Sequence, residues 1–190
     1  MTRLQWSGFV LAAALCGVAA VKPVMGVMLE RTAIHDGPWR TSISTGRVDA
    51  GLYERAAVAI AGLYALSPQE TIYYTAFTDS DGRALEGACT YRLSGSALPA
   101  RWWSLTMYGA DSYLVDNPDY IYSRHAANLK IGTDGHYDIV VASATHDGNW
   151  LPSPASGAYS ITARLYNPER AVYEHPAIVA LPTLTREACP

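Results

Sequence analysis

Beyond residue 71, apolar and polar side chains alternate with a period of two, the pattern of strands that bury one face. The spacing predicts a strand over 72–78, closed by Asp79-Ser80-Asp81-Gly82, residue types that favour a tight reversal. Cys89, Tyr91 and Leu93 then alternate with Thr90, Arg92 and Ser94. Trp103, Leu105 and Met107 share one face, opposite Trp102, Ser104, Thr106 and Tyr108, before Gly109-Ala110-Asp111 turns the chain toward Tyr113-Leu114-Val115. Residues 137–143 are apolar on both faces, which predicts a central strand. In the last clear strand Tyr159, Ile161, Ala163 and Leu165 alternate with Ser160, Thr162, Arg164 and Tyr166.

Upstream the spacing becomes helical. Leu52, Ala56, Ile60 and Leu63 fall on one stripe, Asp49 stands where a cap belongs, and Ser67-Pro68 stops the pattern, so a helix is predicted over 49–66. Its alanines (Ala56, Ala57, Ala59, Ala61, Ala65) suit close packing on a sheet. Residues 30–48, with Gly37-Pro38 and no clear period, read as a connector, with Trp39 at the edge of the domain. The order of elements implies a mainly β fold: an antiparallel sandwich or jelly roll over 49–190 with one packed α-helix.

Residues 4–21 carry no charge, and the apolar run resumes over 24–29 after Lys22-Pro23. Segment 1–29 therefore has two readings, each with a helix that ends near Pro23. One is a retained transmembrane helix, with Lys22 snorkelling to the interface. The other is a signal cleaved after Ala20, with Val18 and Ala20 as its small residues. The retained anchor is preferred, because the apolar segment outlasts the roughly 7–15 residues of a signal core. Leu15 before Cys16 argues against a lipoprotein cysteine. Either reading exports the bulk of the chain if Arg3 stays inside. The expected arrangement is a membrane crossed once, with the C-terminal domain outside the cytoplasm; cleavage would release that domain as an exported chain.

A chain of 190 residues with net charge −3 and no basic stripe gives no footprint for nucleic acid. In an oxidising compartment Cys89 and Cys189 form one possible disulfide, tying the C-terminal tail to a central strand; two free thiols are the alternative. Sequence carries no signal for oligomeric state.

The segments Pro99-Ala100-Arg101-Trp102-Trp103-Ser104, Asn117-Pro118, Asn149-Trp150-Leu151-Pro152 and Arg164-Leu165-Tyr166-Asn167-Pro168 follow one another in a consistent order. With Ala65-Leu66, the strand over 70–78 and the turn Asp79-Ser80-Asp81-Gly82, they resemble the bacterial domain-of-unknown-function family 1214 over about residues 49–189. The resemblance implies a β-sandwich in the bacterial envelope, hence an inner membrane crossed once with the C-terminal domain in the periplasm (periplasmic or secreted after cleavage). It brings no reaction, cofactor or catalytic residue with it. The partner domain of longer relatives, numbered 1254, has no counterpart in these 190 residues. Tyr113 departs from the family pattern, which has a small residue after the turn.

No nucleophile elbow, zinc-helix motif or phosphate loop is present. The five histidines show no ligand spacing, and His136 with Asp138 falls short of the three or four donors a metal site needs, so neither metal nor cofactor is expected. Asp111, Asp116 and Asp119 sit at turns, where aspartate usually bonds its own backbone. The candidate ligand site joins Ser104, Tyr108, Arg164 and Tyr166 on polar strand faces and Asp116 at a turn, with Thr106 beside them and Trp102 and Trp150 as aromatic walls. An arginine among tyrosines suits an anionic or carbohydrate-like ligand. The competing assignment pairs Arg164 with Asp116 to hold loops together and makes Trp150 a hydrophobic plug. The leading expectation is a non-catalytic envelope module that binds a ligand or partner or has a structural role. The alternative is an enzyme on a polysaccharide or other envelope substrate, using Arg164, Tyr108 and Asp116.

N-terminal sequencing of the membrane fraction separates the two fates of segment 1–29. Retention predicts a chain that still carries residues 4–21, and a new N-terminus at Val21 would show cleavage.

Overall fold

Two sheets face each other across a shared apolar interior, as two-residue alternation requires. The computed structural model describes residues 3–60 and 65–190. Helix α1 (Arg3–Thr32) leads into strands β1 (Ile34–Asp36) and β2 (Trp39–Thr41) and helix α2 (Leu52–Ile60). Then come β3 (Thr71–Ala76), β4 (Thr90–Ser96), β5 (Ala100–Gly109), β6 (Ser123–His125), β7 (His136–Ala142), β8 (Trp150–Pro152) and β9 (Tyr159–Pro168). Helix α3 (Arg170–Glu174), a 3-10 turn (Pro176–Ile178) and β10 (Thr183–Ala188) complete the chain. One sheet has the order β1-β2-β3-β9-β5-β6 and the other β10-β4-β7-β8. Every strand pair is antiparallel except β7 with β8.

The inward faces are the ones the alternation picks out. Leu105, Met107, Ile161 and Leu165 from the larger sheet meet Tyr91, Leu93, Ile139 and Val141 from the smaller, all buried. Aromatic rings bridge the layers: Trp103 stacks on Tyr137 at 5.3 Å, and Tyr91 meets Tyr159 edge-on at 6.1 Å. Burial pushes the phenols of Tyr74, Tyr137 and Tyr159 up, keeping them neutral.

Several expectations are corrected by the packing. Helix α1 does not end at Pro23 but continues through it to Thr32. The apolar stretch Gln5–Arg31 within it is 27 residues, about 40 Å at the α-helical rise, long and apolar enough to cross a membrane. Residues 30–48 include the hairpin β1–β2, which extends the larger sheet by pairing with β3. Trp39 lies in the core rather than at an edge, and its Nε1 donates to the Pro182 carbonyl at 2.7 Å. Helix α2 is not the helix that packs on the core. Its Leu52, Tyr53 and Ala56 are exposed, its contacts run to α1, and Leu63 and Ala61 lie outside the described residues. The packed helix is α3, through buried Val172. In β7 one face alone is fully buried: Tyr137, Ile139 and Val141 point inward, while Asp138 is exposed and Val140 half-buried. The strand is nonetheless internal, between β4 and β8.

The C-terminal segment crosses from one sheet to the other and is fastened at each stage. The Tyr74 hydroxyl donates to the Pro176 carbonyl at 2.9 Å, Trp39 holds Pro182, and β10 pairs with β4. Cys89 and Cys189 form the disulfide, at a sequence separation of 100. At the predicted turn, Gly82 takes φ +83° and the buried Asp79 carboxylate accepts from the Asp81 and Arg83 amides and from Arg83 Nε at 3.0 Å. Arg186 Nε stands 3.2 Å away without hydrogen-bond alignment. Burial alone would raise this carboxyl, but the Arg83 and Asp81 hydrogen bonds and the Arg83 charge outweigh it and hold it below the usual range.

Two outcomes follow. Peptide mapping without reductant should recover Cys89 and Cys189 linked, and Cys189→Ser should lower urea-measured stability by about 3–5 kcal/mol, the chain-entropy value for so long a loop. Asp79 is depressed in the folded state, so the unfolded chain binds the proton more readily. Its contribution is therefore full above the unfolded value of 3.8 and lost as pH falls through the folded one. Asp79→Asn should make the acid limb of the stability-against-pH curve shallower.

Candidate functional site

The outer face of the larger sheet is polar because every second residue of β3, β9 and β5 points away from the core. Strand pairing sets these residues in rows. Tyr73, Arg164 and Ser104 stand side by side, as do Thr75, Thr162 and Thr106, and Ser160 pairs with Tyr108. The face is the floor of a cavity of ≈ 680 Å³, walled by Leu66, Phe77, Ala110, Ser112 and Ala158. At the rim, Gly46 takes φ +78° and lies so close to Leu66 that a Cβ there would come within 1.8 Å of the Leu66 carbonyl oxygen.

Arg164 occupies the middle of this floor. It is half-buried, and its Nη2 donates to the Tyr108 hydroxyl. The guanidinium lies 5.1 Å from the Tyr108 ring centre and 5.9 Å from that of Tyr73. Among the described residues no carboxylate reaches it, and none of the other residues lining the cavity carries a charge. Thr75 and Thr162 share a hydroxyl–hydroxyl bond of 3.0 Å beside it.

Of the residues singled out from sequence, Tyr108, Arg164 and Tyr166 line the cavity together. Ser104 lies next to Arg164 on β5, is buried, and does not line it. Trp102 flanks Tyr166 at 5.2 Å between ring centres and also meets His125 at 5.2 Å. Trp150 belongs elsewhere: it is buried on β8 in the other sheet, and its Nε1 donates to the Ala142 carbonyl at 2.9 Å. Asp116 is exposed, does not line the cavity, and makes no salt bridge with Arg164. Alternation also marks Tyr73, Thr75 and Phe77, which oppose the buried Ile72, Tyr74 and Ala76; only the order β3-β9-β5 brings them to Arg164.

The asparagines of the recurrent segments serve the scaffold. Asn117 Nδ2 donates to the Val115 and Ile121 carbonyls at 3.1 Å each, and Asn149 clasps Lys130 and Asp138. Asn167 adopts φ +47°, and its amide donates to the Glu70 carbonyl at 2.8 Å. Asp111 accepts from the Tyr113 amide at 3.0 Å, and the Tyr113 side chain points to solvent, so its bulk meets no obstacle. His136 and Asp138 lie 3.6 Å apart on the outer face of β7, where Asp138 also accepts from Ser94. Among the described residues no three His, Cys, Asp or Glu side chains converge.

A family model described as "Protein of unknown function (DUF1214)" matches residues 70–170. The crystal structure of the VPA0106 protein from Vibrio parahaemolyticus is similar, with TM-score 0.62 and 26% identity over 74% of this chain. The match covers 36% of that protein. An uncharacterised protein from Burkholderia cenocepacia aligns at TM-score 0.46 and 19% identity, over 92% of this chain and 43% of its own. No curated protein matches the chain.

Proposed function

We propose that the chain, which belongs to the DUF1214 family, is a non-catalytic envelope module that holds a small organic anion in the cavity over β3, β9 and β5. The observation that carries this reading is Arg164: a half-buried guanidinium with one neutral hydrogen-bond partner and no counter-charge among the described residues. A charge so placed gains most from an anion that accepts its remaining donors, because Tyr108 alone leaves the fork largely unpaired. Tyr73 and Tyr108 add flat surfaces on either side of the head group. Asp116 is exposed and does not line the cavity, so the reading keeps Arg164 and Tyr108 and omits the carboxylate of an acid–base pair.

The location proposed is the periplasmic side of a bacterial inner membrane, with α1 as the anchor. Two features support it. The apolar side chains of α1, such as Phe9, Leu11 and Leu15, are exposed along the helix and need an apolar surrounding. The Cys89–Cys189 bond persists best in an oxidising compartment.

The test is calorimetric titration of the full chain in lipid nanodiscs with acetate, benzoate and glucuronate, using glucose as the neutral control. At least one anion should bind, and Arg164→Met should weaken it by about 1.5–3 kcal/mol while leaving the melting temperature nearly unchanged. Tyr108→Phe should weaken it less. Absence of any anion binding, or unfolding of both variants, would make the pair structural.

A further inference from the structure

We infer that the occupant of this cavity is a single-chain amphiphilic carboxylate, its head on Arg164 and its apolar body against Phe77 and Leu66. The inference rests on the reading of the cavity as an anion site and goes on to choose the kind of anion.

Charge selects the head. Arg164 is the only charged residue among the described residues that line the cavity, so a single negative charge is balanced there. A doubly charged phosphate would leave half its charge facing phenols and threonines. A carboxylate also matches the two parallel donors of a guanidinium fork.

The walls select the body. Beyond the arginine, Leu66, Phe77, Ala110 and Ala158 offer no side-chain hydrogen bonds, and Ser112 and Ser160 add one hydroxyl each to this mainly apolar stretch. A sugar seated there would turn hydroxyls toward groups that cannot pair them, whereas an alkyl chain removes apolar surface from water. Of the floor hydroxyls, those of Thr75 and Thr162 bond each other and that of Tyr108 accepts from Arg164. A volume of ≈ 680 Å³ leaves ample room for a tail beyond a carboxylate head.

Position supplies a separate argument. The Arg40 guanidinium lies 3.9 Å from the Phe77 ring centre and donates to Glu30 near the end of α1 at 2.8 Å. Arg40 pairs with Thr75 in the sheet, on the face that carries the cavity. The apolar wall is thus tied directly to the end of a helix long and apolar enough to cross a membrane. An amphiphile dissolved in a bilayer has its head at that level and its tail on the apolar side.

The experiment titrates the full chain in nanodiscs with octanoate, glucuronate and octyltrimethylammonium, subtracting empty discs. Octanoate should bind at least about tenfold tighter than glucuronate, and the cation should not bind. Arg164→Met should weaken octanoate by about 10–100-fold. Phe77→Glu, at an exposed position outside the core, should weaken octanoate by about tenfold or more and acetate far less. Glucuronate binding tighter than octanoate through Arg164 would overturn the amphiphile and leave the anion site standing. Octyltrimethylammonium binding as well as octanoate would reduce the effect to tail partitioning and overturn the head-group assignment. If none of the anions binds, both readings fall. The comparison of probes on the unmodified chain decides the matter even if Arg164→Met does not fold.

Discussion

β9 is paired along its length on both sides, to β3 through residues 71–76 and to β5 through residues 100–109, and both halves of the molecule depend on that pairing. Its inward side chains, Tyr159, Ile161, Ala163 and Leu165, are sealed in the core. Its outward ones, Ser160, Thr162, Arg164 and Tyr166, form the middle of the cavity floor. Because the side-chain period is two, a one-residue slip would exchange these sets, putting a guanidinium in the interior and isoleucine in water. The hydrophobic interior therefore fixes the position of Arg164 as firmly as it fixes that of Leu165.

A second constraint keeps the sheets together. The chain after β9 has to leave one sheet and reach the edge of the other, and it does so through a short helix, a 3-10 turn and β10. Trp39 and Tyr74 hold this crossing with hydrogen bonds from ring nitrogen and phenol to prolyl carbonyls, groups otherwise costly to bury. The disulfide then closes the end against the start of β4. Trp39 thus links the β1–β2 hairpin, which follows α1, to the C-terminal segment. The same hairpin carries Arg40, which connects α1 to the cavity wall. Scaffold and site share one short stretch of chain.

Much of this was legible beforehand, for definable reasons. The inward residues of β3, β4, β5 and β9 follow directly from alternation, since burial on one face is a local property of a strand. The turn at 79–82 was legible because Asp and Gly there serve their own backbone. The hairpin at 34–41 was not, because strands of three residues are too short to show a period. Helix α2 falls inside the expected span 49–66 but begins at Leu52, past Asp49, which pairs with Arg47 instead of capping it. Its neighbour is α1, since alanine-rich spacing describes a helix without naming what it touches. Trp150 and Asp116 were grouped with Arg164 on chemical type, whereas one lies in the other sheet and the other in solvent.

The sequence by itself determined that this is a two-faced β protein behind an apolar N-terminal helix, with one disulfide candidate and an arginine on a polar strand face. Those properties are set by periods and compositions that act over a few residues. Only the tertiary structure decided which polar faces lie side by side. Strand order and the crossing of the C-terminal segment come from long-range pairing, and local patterns carry no record of partners tens of residues away. The cavity exists because β9 came to lie between β3 and β5.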